Sequence, residues 1–325
     1  MAQTSRTTPR IPWDQIGLDP ILQLKFGINR QLFPLKKVVS AGRSNLVYEN
    51  EYCRLEGEWK EIGGLGSRLS LRLKNIGRES IRITRLVFPA DNGIDTYAAS
   101  FDLEDISFLR NGYQSWSTAR SYLPKDKPLR PWLQLVSLAN SNMANLPSNV
   151  PGIFSSEMYT VITNRADGTS FLVGQGAPFD QFFYIRLNLY DSPKRRTHFE
   201  ITYDFGRKLV PPGGSVDLDA IYMAMGPTHQ IIHSYFREVS RRVGIKPPKE
   251  NVRGWCSWYF YYNKITPEII RSNVEALKRA REEAGTEIDF VQIDDGYQKA
   301  VGDWLDLTEP DRKSTRLNSS HRYVS

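Results

Sequence analysis

The sequence predicts a chain of more than one domain, in which an antiparallel β-sandwich precedes the βαβ unit of an α/β domain. Short stretches of alternating apolar and polar residues recur from about residue 26 to residue 225, and turn residues separate them. After Pro227 the apolar positions recur every three or four residues instead, which indicates a helix. A proline-rich connection at residues 246–249 then marks a domain boundary.

The sandwich is predicted from many short strands at regular spacing. The clearest strands lie at residues 69–74, 81–87, 171–173 and 199–203. Turn residues separate the strands at Asn75, at Gly77 and at residues 91–93, 166–168 and 211–214.

A helix is predicted between the sandwich and the proline-rich connection. Thr228 is expected to cap this helix, and Gly244 suits its C-terminal end. The apolar positions of the helix are Ile231, Ile232, Tyr235, Val239 and Val243.

The region after the connection is predicted to form a βαβ unit. Residues 252–259 and 288–293 are the expected strands, and a helix starts at Thr266 between them. Thr266 as the cap, followed by Pro267 and Glu268 in the first turn, is typical of a helix start. Because both strands are rich in apolar and aromatic residues, we expect them to be parallel and covered on both faces. An α/β barrel or a doubly wound sheet has this pattern.

Composition and charge argue against several classes of protein. The formal net charge is +7, but 43 basic and 36 acidic residues are interspersed, so no nucleic-acid partner is expected. No secretory signal and no membrane-spanning apolar run are found, so the expected location is cytoplasmic. With only Cys53 and Cys256, no disulfide framework is expected. Cys256 is expected to be a small buried side chain and not a nucleophile.

Asp294 and Asp295 are the strongest candidates for a binding site. They directly follow the second predicted strand, and ligands of parallel α/β folds bind at the carboxyl ends of strands. Two adjacent carboxylates can accept hydrogen bonds from neighbouring hydroxyl groups of one sugar. A divalent-metal pair, or a helix cap beside a solvated neighbour, would explain the same residues. Aromatic residues make up 12% of the chain, and sugar-binding sites use such rings to stack on pyranose faces.

Three motifs in this region resemble the start of the catalytic barrel of glycoside hydrolase family 36 α-galactosidases. They are GWCSWYFYY at residues 254–262, FVQIDDGY at 290–297 and GDWL at 302–305. Upstream, NGYQSWS at residues 111–117 is similar to a tryptophan-bearing loop that the family's N-terminal domain sends toward the barrel. The resemblance covers most of residues 25–309. It implies an antiparallel β-supersandwich followed by the first βαβ unit of a truncated (β/α)8 TIM barrel.

The resemblance also implies a set of substrate-binding residues. Asp294 and Asp295 would bind the 4- and 6-hydroxyl groups of a galactosyl unit, and Trp258 would wall the same subsite by stacking. The remaining members of the set are Trp304, Asp303, Trp116 and Trp255. Trp255 could stack on the sugar in the same way as Trp258. Trp304 and Asp303 would line or support the pocket mouth, and Trp116 would reach the site from the other domain. For these four residues, core packing, loop anchoring or interface packing is the alternative.

The activity implied for the full-length parent is retaining hydrolysis of terminal non-reducing α-D-galactosyl residues of oligosaccharides. The family's nucleophile and general acid/base lie on the fourth and sixth barrel strands, and no residue of this sequence matches them, so this chain is expected to be inactive. Galactosyl transfer, as in raffinose synthases, and a non-catalytic carbohydrate-binding β-sandwich are the alternatives. An α-galactoside oligosaccharide is the expected partner. No cofactor or metal is expected. A homo-oligomer of the full-length parent is a further possible arrangement.

The predicted organisation has five parts. They are an N-terminal extension at residues 1–24, the β-supersandwich at 25–226, a linker helix and proline-rich connection at 227–250, the start of the barrel at 251–309 and a non-native tail at 310–325. The tail is predicted because its polar and basic residues lack periodicity and directly follow a strongly patterned segment.

Overall fold

The computed structural model describes residues 20–26, 29–38, 45–90, 101–127, 140–191, 196–246, 251–300 and 302–307. The chain forms two compact units, Met1–Ile245 and Lys246–Ser325. The predicted turn at residues 91–93, the proline-rich residues 247–250 and the predicted tail at residues 310–325 lie outside the described part. Among the described residues, no helix is both long enough and apolar enough to cross a membrane.

The described residues of the first unit form two antiparallel sheets. In chain order the strands are β1 Ile21–Phe26, β2 Asn29–Pro34, β3 Lys36–Lys37, β4 Asn45–Glu49, β5 Cys53–Ile62, β6 Gly66–Asn75, β7 Ile81–Ala90, β8 Ile106–Arg110, β9 Arg120–Tyr122, β10 Ile153–Glu157, β11 Tyr159–Asn164, β12 Thr169–Gln175, β13 Phe182–Asp191, β14 Arg196–Val210 and β15 Ser215–Pro227. One sheet has the order β10-β13-β14-β7-β1-β2, and the other has the order β3-β4-β5-β6-β15-β12-β11-β8-β9.

The two sheets share one hydrophobic core, which confirms the predicted sandwich. Alternate residues of each strand point to the same face, and the inward-facing ones form this core. Leu71 of β6 and Ile83 of β7 are examples. Phe171 and Phe199 meet between the sheets with their ring centroids 6.2 Å apart. The four strands predicted most clearly fall inside β6, β7, β12 and β14. Strand β1 starts at Ile21, so the sheet begins within the stretch assigned to an N-terminal extension.

A helix, α1 Thr228–Val243, follows the last strand of the sandwich, as the sequence predicts. The prediction that Thr228 caps it is wrong. Pro227 is the cap residue, and its side chain makes no capping hydrogen bond. Thr228 is the first helical residue, and its hydroxyl group pairs with Ser170 Oγ at 2.6 Å. Gly244 ends the helix with a φ of 75°, in the left-handed region that glycine adopts without strain.

Helix α1 packs on the outer face of the nine-stranded sheet. Ile231 and Tyr235 are buried there, in a second hydrophobic cluster. The Tyr235 ring lies against Gly174, where a Cβ atom would stand 2.6 Å from the ring. The Tyr235 hydroxyl group donates to Gln175 O at 2.7 Å. The predicted linker helix is therefore packed into the first unit.

A buried carboxylate holds the segment between β12 and β13. Asp219 of β15 is fully buried. Its Oδ1 atom accepts hydrogen bonds from the backbone N–H groups of Phe179 at 2.7 Å and Asp180 at 2.9 Å. Its Oδ2 atom accepts from the backbone N–H of Gln181 at 2.9 Å and from Gln175 Nε2 at 2.6 Å. One side chain thus satisfies four buried or partly buried donors of the sandwich.

The described part of the second unit is a βαβ unit. Its elements are β16 Gly254–Cys256, α2 Trp258–Tyr261, α3 Pro267–Ala284 and β17 Phe290–Gln292. The two strands pair in parallel, with Trp255 opposite Val291. This arrangement agrees with the predicted parallel unit, but the expectation that both strands are covered on both faces is wrong for the described residues, since no residue of β16 or β17 is buried. The described residues contain no further strand of a barrel.

The first strand of this unit is shorter than predicted. The prediction of one strand over residues 252–259 is wrong, because the chain turns into helix α2 after Ser257. Tyr261 N donates to Ser257 O at 3.1 Å and Tyr262 N donates to Trp258 O at 3.0 Å, which closes a helical turn. The second strand is likewise limited to three residues of the predicted six.

Helix α3 begins as the sequence predicts. Thr266 Oγ1 accepts a hydrogen bond from the backbone N–H of Ile269 at 3.3 Å, and Pro267 is the first helical residue. Gly285 ends the helix with a φ of 64°. The helix returns the chain to the start of β17, which makes the parallel pairing feasible.

Candidate functional site

The backbone at the end of β17 is fixed by a buried serine. Ser257 follows β16 and is fully buried. Its backbone N–H donates to Gln292 O at 3.1 Å, and its Oγ accepts from the backbone N–H of Asp294 at 3.0 Å. Ser257 therefore links the ends of both strands and places Asp294 and Asp295 at their carboxyl edge, as the sequence predicts.

The carboxylate of Asp294 already has several donors. Its Oδ1 accepts from the backbone N–H of Asp295 at 2.8 Å. Its Oδ2 accepts from Gln292 Nε2 at 3.1 Å and from the Cys256 thiol at 3.5 Å. Because each carboxylate oxygen has two lone pairs, Asp294 keeps the capacity to accept a further hydrogen bond.

Cys256 acts here as a hydrogen-bond donor. Burial raises the pKa of the Cys256 thiol, and the neighbouring Asp294 carboxylate raises this pKa further. The group therefore stays a thiol at neutral pH, whereas a nucleophilic cysteine needs its thiolate form. The prediction that Cys256 is buried is wrong, because its side chain is partly exposed.

Asp295 is oriented by a buried amide. Gln298 Nε2 donates to Asp295 Oδ1 at 3.0 Å, and Gln298 Oε1 accepts from the backbone N–H of Gly296 at 2.8 Å. Gln298 is 7% exposed. Gly296 has a φ of 110°, and a Cβ atom there would lie 2.7 Å from Asn263 Cα, so the turn requires glycine. Among the described residues, Asp295 Oδ2 has no hydrogen-bond partner, so it can accept from a ligand.

An open depression of about 630 Å³ lies beside Asp295. Its lining residues are Trp258, Tyr262, Asn263, Asp295, Gly296, Gln298, Lys299 and Ala300. The rings of Trp258 and Tyr262 meet edge to face, with centroids 5.6 Å apart. The structure thus brings Trp258 and Asp295, two of the predicted site residues, to one concave surface. Trp258 is the first residue of α2, not the last residue of a strand.

Asp294 does not line this depression, and neither do Trp255, Trp304 and Asp303. Trp255, half-buried in β16, meets the ring of Tyr261 at 6.3 Å between centroids. Trp304 is 53% exposed and contacts Tyr297, with centroids 6.4 Å apart. Asp303 lies in a turn, where its backbone N–H donates to Ala300 O at 3.0 Å. The role of these residues in a sugar site stays a prediction.

The loop that carries Trp116 belongs to the first unit. The Trp116 side chain is 67% exposed, although its loop is closely hydrogen-bonded. Gln114 Oε1 accepts from the backbone N–H of Trp116 at 3.2 Å, and Gln114 Nε2 donates to Asn140 Oδ1 at 2.7 Å. Ser117 Oγ also donates to Asn140 O. The loop thus presents an exposed aromatic ring on an ordered backbone, and its role in a site on the second unit stays a prediction.

The sequence reasoning missed the polar residues around the two aspartates. Ser257, Gln292 and Gln298 hold Asp294 and Asp295, and none of the three was predicted. The spacing in the sequence could have indicated Gln298, because it lies three positions after Asp295 and a tight turn at Gly296 can bring the two side chains together. Within the described ranges, no group of three or more His, Cys, Asp and Glu residues is arranged to hold a metal ion.

Comparisons with known proteins agree with these motifs. The sequence profile of the family described as "Raffinose synthase or seed imbibition protein Sip1" matches residues 220–319. A probable galactinol–sucrose galactosyltransferase 1 of Arabidopsis thaliana is 27% identical over 156 residues, which are 48% of this chain and 19% of that protein. A family 36 α-galactosidase from Geobacillus stearothermophilus has a similar fold, with a TM-score of 0.50, 11% identity and coverage of 95% of this chain and 48% of that chain. The resemblance to glycoside hydrolase family 36 is confirmed.

The comparisons cover only part of each similar protein. The chain spans about a fifth of the curated relative and about half of the solved α-galactosidase. A variant of that enzyme in complex with raffinose is also similar, with a TM-score of 0.49, 13% identity and coverage of 89% of this chain and 42% of that chain. The family profile match ends at residue 319, inside the segment predicted to be a non-native tail, and gives that prediction no support.

Proposed function

We propose that the protein processes α-galactosides and that the second unit holds the terminal galactosyl group. The observation that carries this proposal is the shared depression of Trp258 and Asp295. An indole ring stacks on the apolar face of a pyranose, and a carboxylate with a free oxygen accepts from a sugar hydroxyl group. Asp294, next to it in the chain, supplies a second acceptor for a neighbouring hydroxyl group.

The reaction that we propose for the complete protein is retaining hydrolysis of terminal non-reducing α-D-galactosyl residues of oligosaccharides. Such a reaction needs a nucleophilic carboxylate and a general acid/base about 5 to 5.5 Å apart. We assign neither role to a residue of this chain, because Asp294 and Asp295 are engaged in hydroxyl binding. Galactosyl transfer is the second candidate, and the similarity to a galactosyltransferase of Arabidopsis thaliana favours it. The two reactions differ only in whether water or a sugar accepts the galactosyl group.

The chain should bind a galactoside in preference to a glucoside. The two sugars differ in the 4-hydroxyl group, which is axial in galactose, and a site built to pair that group discriminates against the other epimer. We expect methyl α-D-galactoside to bind at least about tenfold more tightly than methyl α-D-glucoside, in a titration followed by NMR. The indole resonance of Trp258 should shift on binding. Equal affinity for both sugars would contradict the proposal, and shifts confined to the first unit would favour the carbohydrate-binding sandwich.

The purified 325-residue chain should release no galactose from an aryl α-galactoside or from raffinose. The reason is that we assign neither the nucleophile nor the general acid/base to a residue of this chain. Covalent mechanisms that lack the nucleophile keep only weak residual catalysis. The measurement is product analysis of the raffinose reaction without an acceptor and of the aryl α-galactoside reaction with and without sucrose as an acceptor, since transfer from raffinose to sucrose only regenerates raffinose. The preparation comes from a host that lacks α-galactosidase. Release of free galactose would show hydrolysis by this chain, and a new trisaccharide would show transfer. Either product would overturn the assignment of roles.

A further inference from the structure

We propose that Gln298 is a positioning residue, which fixes the Asp295 carboxylate so that one oxygen points to the sugar. This inference rests on the proposed function and deepens it. Gln298 uses both ends of its amide, since Nε2 donates to Asp295 Oδ1 at 3.0 Å and Oε1 accepts from Gly296 N at 2.8 Å. Asp295 Oδ2 is thereby left as the free acceptor among the described contacts.

The surroundings of Gln298 keep its hydrogen bonds to Asp295 and Gly296 rigid. The side chain is 7% exposed, so water competes little for its two hydrogen bonds. Its backbone forms a bridge with Leu307, and the backbone N–H of the next residue, Lys299, donates to Asp306 O at 2.8 Å. Because the backbone of Gln298 is fixed and both ends of its amide are hydrogen-bonded, the amide has one orientation. Its Nε2 therefore fixes the orientation of the Asp295 carboxylate.

Asp294 depends less on its glutamine, Gln292, than Asp295 depends on Gln298, and this difference provides an internal comparison. Gln292 Nε2 donates to Asp294 Oδ2 at 3.1 Å, but Gln292 is exposed to solvent. Asp294 Oδ1 also receives the backbone N–H of Asp295, so its orientation does not depend on the glutamine alone. Loss of the Gln292 amide should therefore matter less than loss of the Gln298 amide.

The test uses Gln298→Leu and Gln298→Glu in the full chain. Leucine is close in size and removes both hydrogen bonds, so the affinity for methyl α-D-galactoside should fall about tenfold at every pH. Glutamate restores the hold only when it is protonated, because its O–H can then donate to Asp295 while its carbonyl accepts from Gly296. The repulsion between two neighbouring carboxylates raises the pKa of the pair. The charged groups around this position are Asp294, Asp295, and the ion pair of Lys299 with Asp306 at 3.7 Å.

The pH profile separates positioning from packing. Gln298→Glu should bind the galactoside nearly as wild type at about pH 5 and about tenfold more weakly at about pH 8. Two variants are controls: Gln292→Leu, with a smaller loss, and Ala276→Glu, which adds a carboxylate on an exposed face of α3 and should change nothing. Wild-type affinity for Gln298→Leu, or an unchanged pH profile for Gln298→Glu, would overturn the inference.

A measurement without sugar distinguishes this inference from the proposed function. Carboxyl-carbon NMR should show that Gln298→Leu changes the Asp295 signal, and the Gly296 amide should exchange faster with solvent. If the wild-type chain binds no galactoside, the proposed function fails, and with it the role of Gln298 toward the sugar. The carboxyl and amide signals then still decide whether Gln298 holds Asp295. Unchanged signals in Gln298→Leu would overturn that hold as well.

Discussion

Replacing Asp295 by alanine is expected to weaken the affinity for methyl α-D-galactoside roughly tenfold to a hundredfold. A hydrogen bond to a charged group contributes about 1.5 to 3 kcal/mol, and the sugar hydroxyl group would lose its partner in the site. The effect should be larger than that of any substitution around the depression, because Asp295 Oδ2 is the acceptor left free. Asp295→Asn keeps the shape and should cost less, since its amide oxygen can still accept.

Asp294→Ala should weaken binding as well, and it should also disturb the strand ends. Its carboxylate receives Gln292 Nε2 and the Asp295 backbone N–H, so part of its loss is structural. The measurement is affinity by NMR titration, with thermal unfolding recorded for each variant to separate the two effects. Glu275→Gln, on an exposed face of α3, is the matched control and should bind as wild type.

The same titration tests the metal alternative. If Asp294 and Asp295 were ligands to a divalent cation, a chelator would remove binding and added cation would restore it. We expect binding to be indifferent to chelator. Unchanged affinity in Asp294→Ala and Asp295→Ala, or dependence on added cation, would contradict the sugar-binding assignment.

The fold of the first unit was predictable because its strands carry a strong local pattern. In β6 every second residue from Leu69 to Leu73 is buried, and this period is visible in the sequence. The ends of elements were less predictable, since they depend on distant partners. Trp258 has a residue type common in strands, yet it starts the helical turn that follows Ser257, whose Oγ accepts from the backbone N–H of Asp294 at the end of β17. Similarly, Thr228 is a good cap residue in isolation, but its hydroxyl group pairs with Ser170 on a neighbouring strand.

The candidate site was predictable where the topology alone decides position. Asp294 and Asp295 follow a parallel strand, and the carboxyl edge is where such folds bind ligands. Gln298 could not be predicted, because its role depends on the positive φ of Gly296 and on which end of an amide faces which atom. The sequence likewise assigned Trp255 and Trp258 similar roles, whereas the turn after β16 sends only Trp258 to the depression.

Replacing Asp219 by alanine is expected to destabilise the sandwich strongly. The carboxylate is fully buried and accepts from three consecutive backbone N–H groups and from Gln175 Nε2. Buried donors left without a partner cost about 1 to 3 kcal/mol each, although neighbouring costs do not add fully. We therefore expect a loss of about 3 to 5 kcal/mol in the free energy of unfolding.

Thermal unfolding followed by the β-sheet circular dichroism signal should show this loss as a decrease in Tm of roughly 10 °C or more. Asp219→Asn should also be destabilising, because its amide nitrogen would face other donors where the carboxylate has only acceptors. The matched control is Asp217→Ala, two residues earlier on β15. Asp217 pairs with Arg72 at the surface, where its side chain is 70% exposed, so the Tm should stay close to wild type. A similar decrease in Tm for the two alanine variants would mean that any change in this part of β15 destabilises the sandwich, and that the buried donors around Asp219 do not explain the loss.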